Sequence, residues 1–125
     1  DTYLNNQVMV LKKYAESNPQ QVQGFVNAIQ RAINWVNSHT VEENAKVIHG
    51  FPAFSKLAPA HFLTSVKRVL PGGVAKTAEI STEAFSNAMK FPLAVGALKA
   101  PMAYDSLIDG SFAKNAVKKY PPAGR

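Results

Sequence analysis

The side chains best suited to acid–base or metal chemistry near neutral pH are three histidines, His39, His49 and His61. Their spacings match no metal-ligating helix pattern, and the chain holds no cysteine to complete a site. Each histidine is better explained as a helix-end or surface residue; His39 falls at a predicted helix C-terminus, where a cation interacts well with the helix dipole. The acidic residues are few. Glu42 and Glu43 belong to the first turn of a predicted helix, and Asp105 and Asp109 sit near helix starts, so each has a structural role. Gly72-Gly73 lacks the Lys-Ser/Thr of a phosphate loop and is a turn. No Gly-x-Ser-x-Gly nucleophile motif exists; Gly110-Ser111 comes nearest and reads as a helix cap. Trp35 lies among apolar helix residues and reads as core. The one segment that suggests binding is Asp1-Thr2-Tyr3-Leu4-Asn5-Asn6, an aromatic and two amides just ahead of an apolar run, a mixture common in small-ligand pockets.

Composition narrows the classes further. The chain has 125 residues, 46% of them hydrophobic and 18% charged, which is globular rather than disordered. Its formal net charge is +6, but the 14 basic residues are dispersed, with only pairs at Lys12-Lys13, Lys67-Arg68 and Lys118-Lys119. A nucleic-acid reader would carry a denser stripe, so no nucleic-acid partner is expected. The charge reads mainly as a solvated basic surface, and its positive field is compatible with a small anionic ligand. The apolar runs are far shorter than the roughly 20 residues that cross a bilayer. The first residue, Asp1, is not an initiator methionine, so the natural start of the protein is expected upstream.

The elements that must position these residues are mostly helices. Val8-Met9-Val10-Leu11 is apolar at every position and predicts a buried strand over about 7–11, with no second clear strand to pair with it. Lys12 to Ser17 predicts a short helical turn. Asn18-Pro19 starts a helix over about 19–37, with Pro19 at its first position and Gln21 placed to close a capping box. Val22, Phe25, Val26, Ile29, Ile33 and Val36 give that helix its apolar face. Thr40-Val41-Glu42-Glu43 is a second capping box and opens a helix over 41–49, stopped at Gly50. Further helices are expected over 59–70, ended by Pro71-Gly72-Gly73, over 82–99, capped by Ser81 and broken or kinked at Pro92, and over 112–119, capped by Ser111. Asp105 caps a short turn to Ile108. An unpaired buried strand would strand its backbone N–H and C=O groups, so the chain reads as a piece of something larger.

The order of these features resembles a known family. The quoted residues are a short strand, the Asn18-Pro19-x-x-Val22-x-x-Phe25-Val26-x-Ala28 helix start, the Trp35-Val36 helix end, and the closing Tyr104-Asp105-x-Leu107-x-Asp109-x-Ser111-Phe112. Together they resemble the C-terminal part of the solute-binding proteins of ABC importers for nitrate, sulfonates, taurine and thiamine-pyrimidine precursors. The resemblance covers almost the whole chain, but only about the last third of such a protein.

That resemblance implies an α/β fold, the C-terminal portion of a two-lobe type II periplasmic-binding-protein architecture, mostly helical here with one or two strands. The strand would join a sheet whose other strands lie in the N-terminal remainder of the same protein. It implies a periplasmic or otherwise extracytoplasmic binding protein, not an enzyme and without a cofactor. A small solute would be held between two lobes and delivered to a membrane permease. Tyr3 and Asn5, just ahead of the strand, are the expected ligand contacts. Two other readings stand beside it: an enzyme on the same fold, related to desulfinases or thiamine-pyrimidine synthases, and a stand-alone helical interaction domain.

Overall fold

Proline 19 shows how the chain is assembled. Its missing N–H costs nothing at a helix start, and from it the longest helix runs through α2 (Pro19–Ser38). The structure, a computed structural model, describes Leu4 and residues 7–122. In chain order it contains α1 (Lys12–Ser17), α2, α3 (Val41–His49), α4 (Pro59–Gly73), α5 (Thr82–Ala94), α6 (Tyr104–Leu107) and α7 (Ser111–Lys119). The described residues are mostly helical and include no strand.

The strand expected over 7–11 is therefore not formed. Val8, Met9, Val10 and Leu11 run without a partner strand, all exposed, Met9 to 90%. A strand is a property of a pair: without a second ladder these residues gain no hydrogen bonds from extension. Leu11 instead lends its carbonyl to Tyr14 and Ala15 and opens α1. The α/β expectation fails at this segment, and the mostly helical one holds.

Helix boundaries follow local chemistry, with four departures. Thr40 and Glu43 form the reciprocal capping box, Thr40 N–H to Glu43 Oε2 at 2.8 Å and Glu43 N–H to Thr40 Oγ1 at 3.2 Å. Ser81 caps α5 through the Ala84 N–H. Asn18 stands at the N-cap of α2, where its carbonyl accepts from the Gln21 and Val22 N–H groups, but its side chain makes no capping bond. Its Nδ2 and backbone N–H both reach the Tyr14 carbonyl and close α1, while Gln21 accepts a hydrogen bond from the Tyr14 hydroxyl at 2.7 Å rather than completing a box. α4 continues past Leu70 through Pro71 to Gly73, because proline in a last turn removes one N–H and keeps a helical φ. α5 likewise spans Pro92 but stops at Ala94, five residues short of the expected end. Gly96 sits at φ +73°, and its N–H turns back to the Leu93 carbonyl. Finally, Ser111 is the first residue of α7 rather than its cap; its N–H and hydroxyl both donate to Asp109 Oδ1.

Two helix pairs dominate the packing: α2 against α7, with α1 alongside α2, and α3 against α4. Between α2 and α3, Asn44 is fully buried and its Nδ2 donates to the Val36, His39 and Thr40 carbonyls, fixing the joint; its Oδ1 is buried without a partner. The apolar core is small: Val22, Phe62 and Phe85 plus the alanines 45, 84, 113 and 116. Phe85 meets Tyr104 edge-on at 5.5 Å, and the Tyr104 hydroxyl donates to the Ile80 carbonyl, which ties α6 to the start of α5.

The accessible surface is 9507 Å². A compact protein of this mass, 13.5 kDa, would expose about 6500 Å². The eight residues outside the description would add at most about 1250 Å² even if fully extended. Most of the excess therefore lies on the described helices and loops.

Candidate functional site

The three histidines do not converge. His39 ends α2 and stacks on Trp35 with ring centroids 4.1 Å apart, its Nδ1 2.7 Å from the Trp35 carbonyl. His49 ends α3, with Nε2 2.9 Å from the Leu57 carbonyl and its ring against Phe62. His61 is exposed on α4. No group of three or more His, Cys, Asp or Glu residues that could hold a metal exists among the described residues. Trp35 is half-buried, at the joint between α2 and α3 rather than in a core.

Glu42, Glu43 and Asp109 are structural, as their spacing suggested, whereas Asp105 is the second residue of α6 (Tyr104–Leu107) and not its cap, a position taken by Ala103. A hydrogen bond from Lys67, at 2.8 Å, and the charge of its ammonium hold Glu42 below the ordinary carboxylate value of 4.5. Glu43 is lowered first by the Thr40 backbone N–H and then by its hydroxyl. Asp109 is lowered by the Ser111 hydroxyl and N–H. None of the three faces a second carboxylate with a raised value, which a general acid would need.

Tyr3 and Asn5 lie outside the described residues. The concavity nearest to them in sequence is a groove of about 400 Å³ where the 8–10 segment, α1 and α2 meet. Val8, Val10, Val22, Phe25 and Val26 line it, together with Tyr14 and Gln21, which are hydrogen-bonded to each other. Phe25 is 49% exposed, and Ile29, one turn further along the same face, is 38% exposed. This groove has the walls of an apolar docking site and no charged group in its lining, so it suits a polypeptide surface better than an anion.

A second feature was missed in the sequence. One face of α2 carries Gln23, Asn27, Gln30, Asn34 and Asn37, alternating four and three residues apart, which places them in one row. Gln23 donates to the Phe112 carbonyl of α7 and accepts from Asn115. Gln30, fully buried, donates to Asn34 and accepts the Ala78 N–H at 2.8 Å. Asn34 donates to the Tyr120 and Pro121 carbonyls, and Asn37 to the Ala75 carbonyl. The row straps α7, the chain after α4 and the residues after α7 onto one helix. Its period was legible, but the apolar row beside it drew the reading. The amides have stabilising protein partners, so they form a clamp rather than a ligand site.

No protein-family model, curated protein or solved structure matches the chain.

Proposed function

We propose that this chain is the C-terminal portion of an extracytoplasmic solute-binding component of an ABC importer, acting by capture of a small anion or related nutrient and not by catalysis. The observation that carries this reading is the unmatched apolar surface around the 400 Å³ groove. An extended apolar segment, Val8 to Leu11, lies beside a long helix whose apolar face is half open at Phe25 and Ile29. A further polypeptide that supplies strands to the segment and covers Phe25 and Ile29 would satisfy both at once. The scattered histidines and the structurally engaged acids favour binding over acid–base chemistry. In this reading the solute touches Tyr3 and Asn5 together with residues of the N-terminal remainder, and the closed form meets the permease.

The test is the intact mass of the protein that carries this chain, followed by thermal melting of that whole protein with nitrate, taurine, an alkane sulfonate and a pyrimidine. A mass well above 13.5 kDa and a Tm raised by several degrees with one of these ligands is the expected result. A larger protein whose melting none of them moves overturns the importer reading.

The absence of any strand among the described residues favours a second reading, a helical interaction domain that uses the same open face. An intact mass equal to that of these residues would select it.

A further inference from the structure

The loop between α3 and α4 presents an apolar ridge. Phe51, Phe54 and Leu57 are 56%, 39% and 50% exposed. The Phe51 N–H reaches the Ile48 carbonyl, Phe54 N–H the Phe51 carbonyl, and Leu57 N–H the Phe54 carbonyl, at 2.9–3.1 Å. These bonds each span three residues and fold the loop into successive turns, which carry the exposed Phe51, Phe54 and Leu57 within one short segment. The ridge is anchored: Phe54 packs on the buried Phe62 at 5.5 Å, and His49 Nε2 holds the Leu57 carbonyl.

Two further observations say what such a ridge meets. The first is charge. Between Glu43 and Glu79 the sequence has no acidic residue but carries Lys46, Lys56, Lys67, Arg68 and Lys76, of which only Lys67 is drawn into an ion pair, with Glu42. Lys56 lies within the ridge itself, and Lys46 lines the apolar slot between α3 and α4 at its root. The second is the loop backbone. The carbonyls of Ile48, Phe51, Phe54 and Leu57 accept hydrogen bonds inside the protein and the Ser55 hydroxyl covers the Pro52 carbonyl, while the backbone groups of Ala53 and Lys56 are left to the surroundings. A loop satisfied only in part suits the hydrated headgroup level and not the hydrocarbon core.

We propose that the 50–58 loop docks on an anionic phospholipid surface, with Phe51, Phe54 and Leu57 at the headgroup–acyl boundary and the surrounding lysines on the headgroups. The docking lies on the membrane and does not cross it; no described helix is long and apolar enough to span a bilayer. It is independent of the importer reading, because the ridge is remote in sequence from the 8–11 segment and needs neither a solute nor a permease.

The experiment is co-sedimentation of the whole protein with vesicles of phosphatidylcholine alone and of phosphatidylcholine mixed with phosphatidylglycerol. Binding is expected to the mixed vesicles and to fall with salt. The double substitution Phe51→Ser/Leu57→Ser, at exposed positions, is expected to weaken it more than about tenfold, and Lys56→Glu about tenfold. Helix content by circular dichroism should stay unchanged in both. Phe91→Ser, at a residue 74% exposed on α5, is the control and is expected to bind normally. No sedimentation overturns the proposal, and so does an equal loss in Phe91→Ser. Indifference to vesicles with ridge-dependent binding to polyglutamate would also overturn it and assign the ridge to an acidic protein surface.

Discussion

The α2–α7 pair and the α3–α4 pair start from the same kind of amphipathic helix and are held by different forces. α2 has no acidic residue and one cation, Arg31, and it grips α7 and two neighbouring segments with uncharged amides aimed at backbone groups. Small residues make that grip possible: Ala113 and Ala116 are the buried residues of α7, and they let its backbone come within reach of Gln23. The α3–α4 pair is held by Phe62 in an apolar slot, by a capping box at one end and by an exposed ion pair, Glu42–Lys67, across it. The first pair combines buried alanines with amide hydrogen bonds that are part-buried or exposed, so it should respond to loss of a hydrogen-bond partner. The second depends on apolar volume, with charges at its surface, so it should respond to cavities and, weakly, to pH.

The comparison can be broken most directly in the second pair. Phe62→Ala should destabilise the protein by about 3–4 kcal/mol, measured by urea denaturation, because a buried ring touching Phe54 and His49 is lost. Gln30→Ala should cost about 2–3 kcal/mol, since it leaves the Ala78 N–H and the Asn34 oxygen without partners. If Gln30→Ala were neutral, the amide row would not be what holds α2. Thr40→Ala should cost about 1 kcal/mol and fray the start of α3, seen as faster amide exchange at Glu43. The smallest effect breaks the contrast in part, because it reaches one helix of each pair. Glu42, Glu43 and Asp109 are depressed in the folded state, so their contribution is present above the ordinary values of 4.5 and 3.8 and is lost as pH falls through the lower folded values. Acidification below about pH 4.5 should therefore raise amide exchange at the starts of α3 and α7, while the interior of α2 stays protected.

Elements with a local start signal were legible in the sequence. Thr40-x-x-Glu43 is self-contained, since both of its hydrogen bonds lie within four residues, and its helix ends at His49 as expected. Gly96, two residues past the end of α5, is a glycine stop signal that its φ of +73° uses, but the apolar Leu98 beyond it suggested continuation. The elements that depend on distant partners were not legible. Val8 to Leu11 has strand composition and no strand partner within the described residues. The Asn18 side chain had two helices to serve and serves the earlier one, leaving only its carbonyl to open α2, a competition that spacing does not decide. Phe25 and Ile29 have the period of a core face and remain half open, because period specifies a face and not what covers it. At the candidate site, sequence reasoning gave the histidines, Glu42, Glu43 and Asp109 their structural roles but misplaced Asp105 as a cap and missed the amide row, whose partners lie about 40 to 90 residues away.

The generous surface has a consequence for how the chain unfolds. Unfolding from 9507 Å² exposes only about three-quarters of the area that a compact protein of this length would expose. Both the denaturant slope and the heat-capacity increment scale with that area. The isolated chain should therefore show a shallow urea transition and a broad, low calorimetric peak. Covering the open faces would steepen both, so the sharpness of the melt is itself an assay for whether anything binds there.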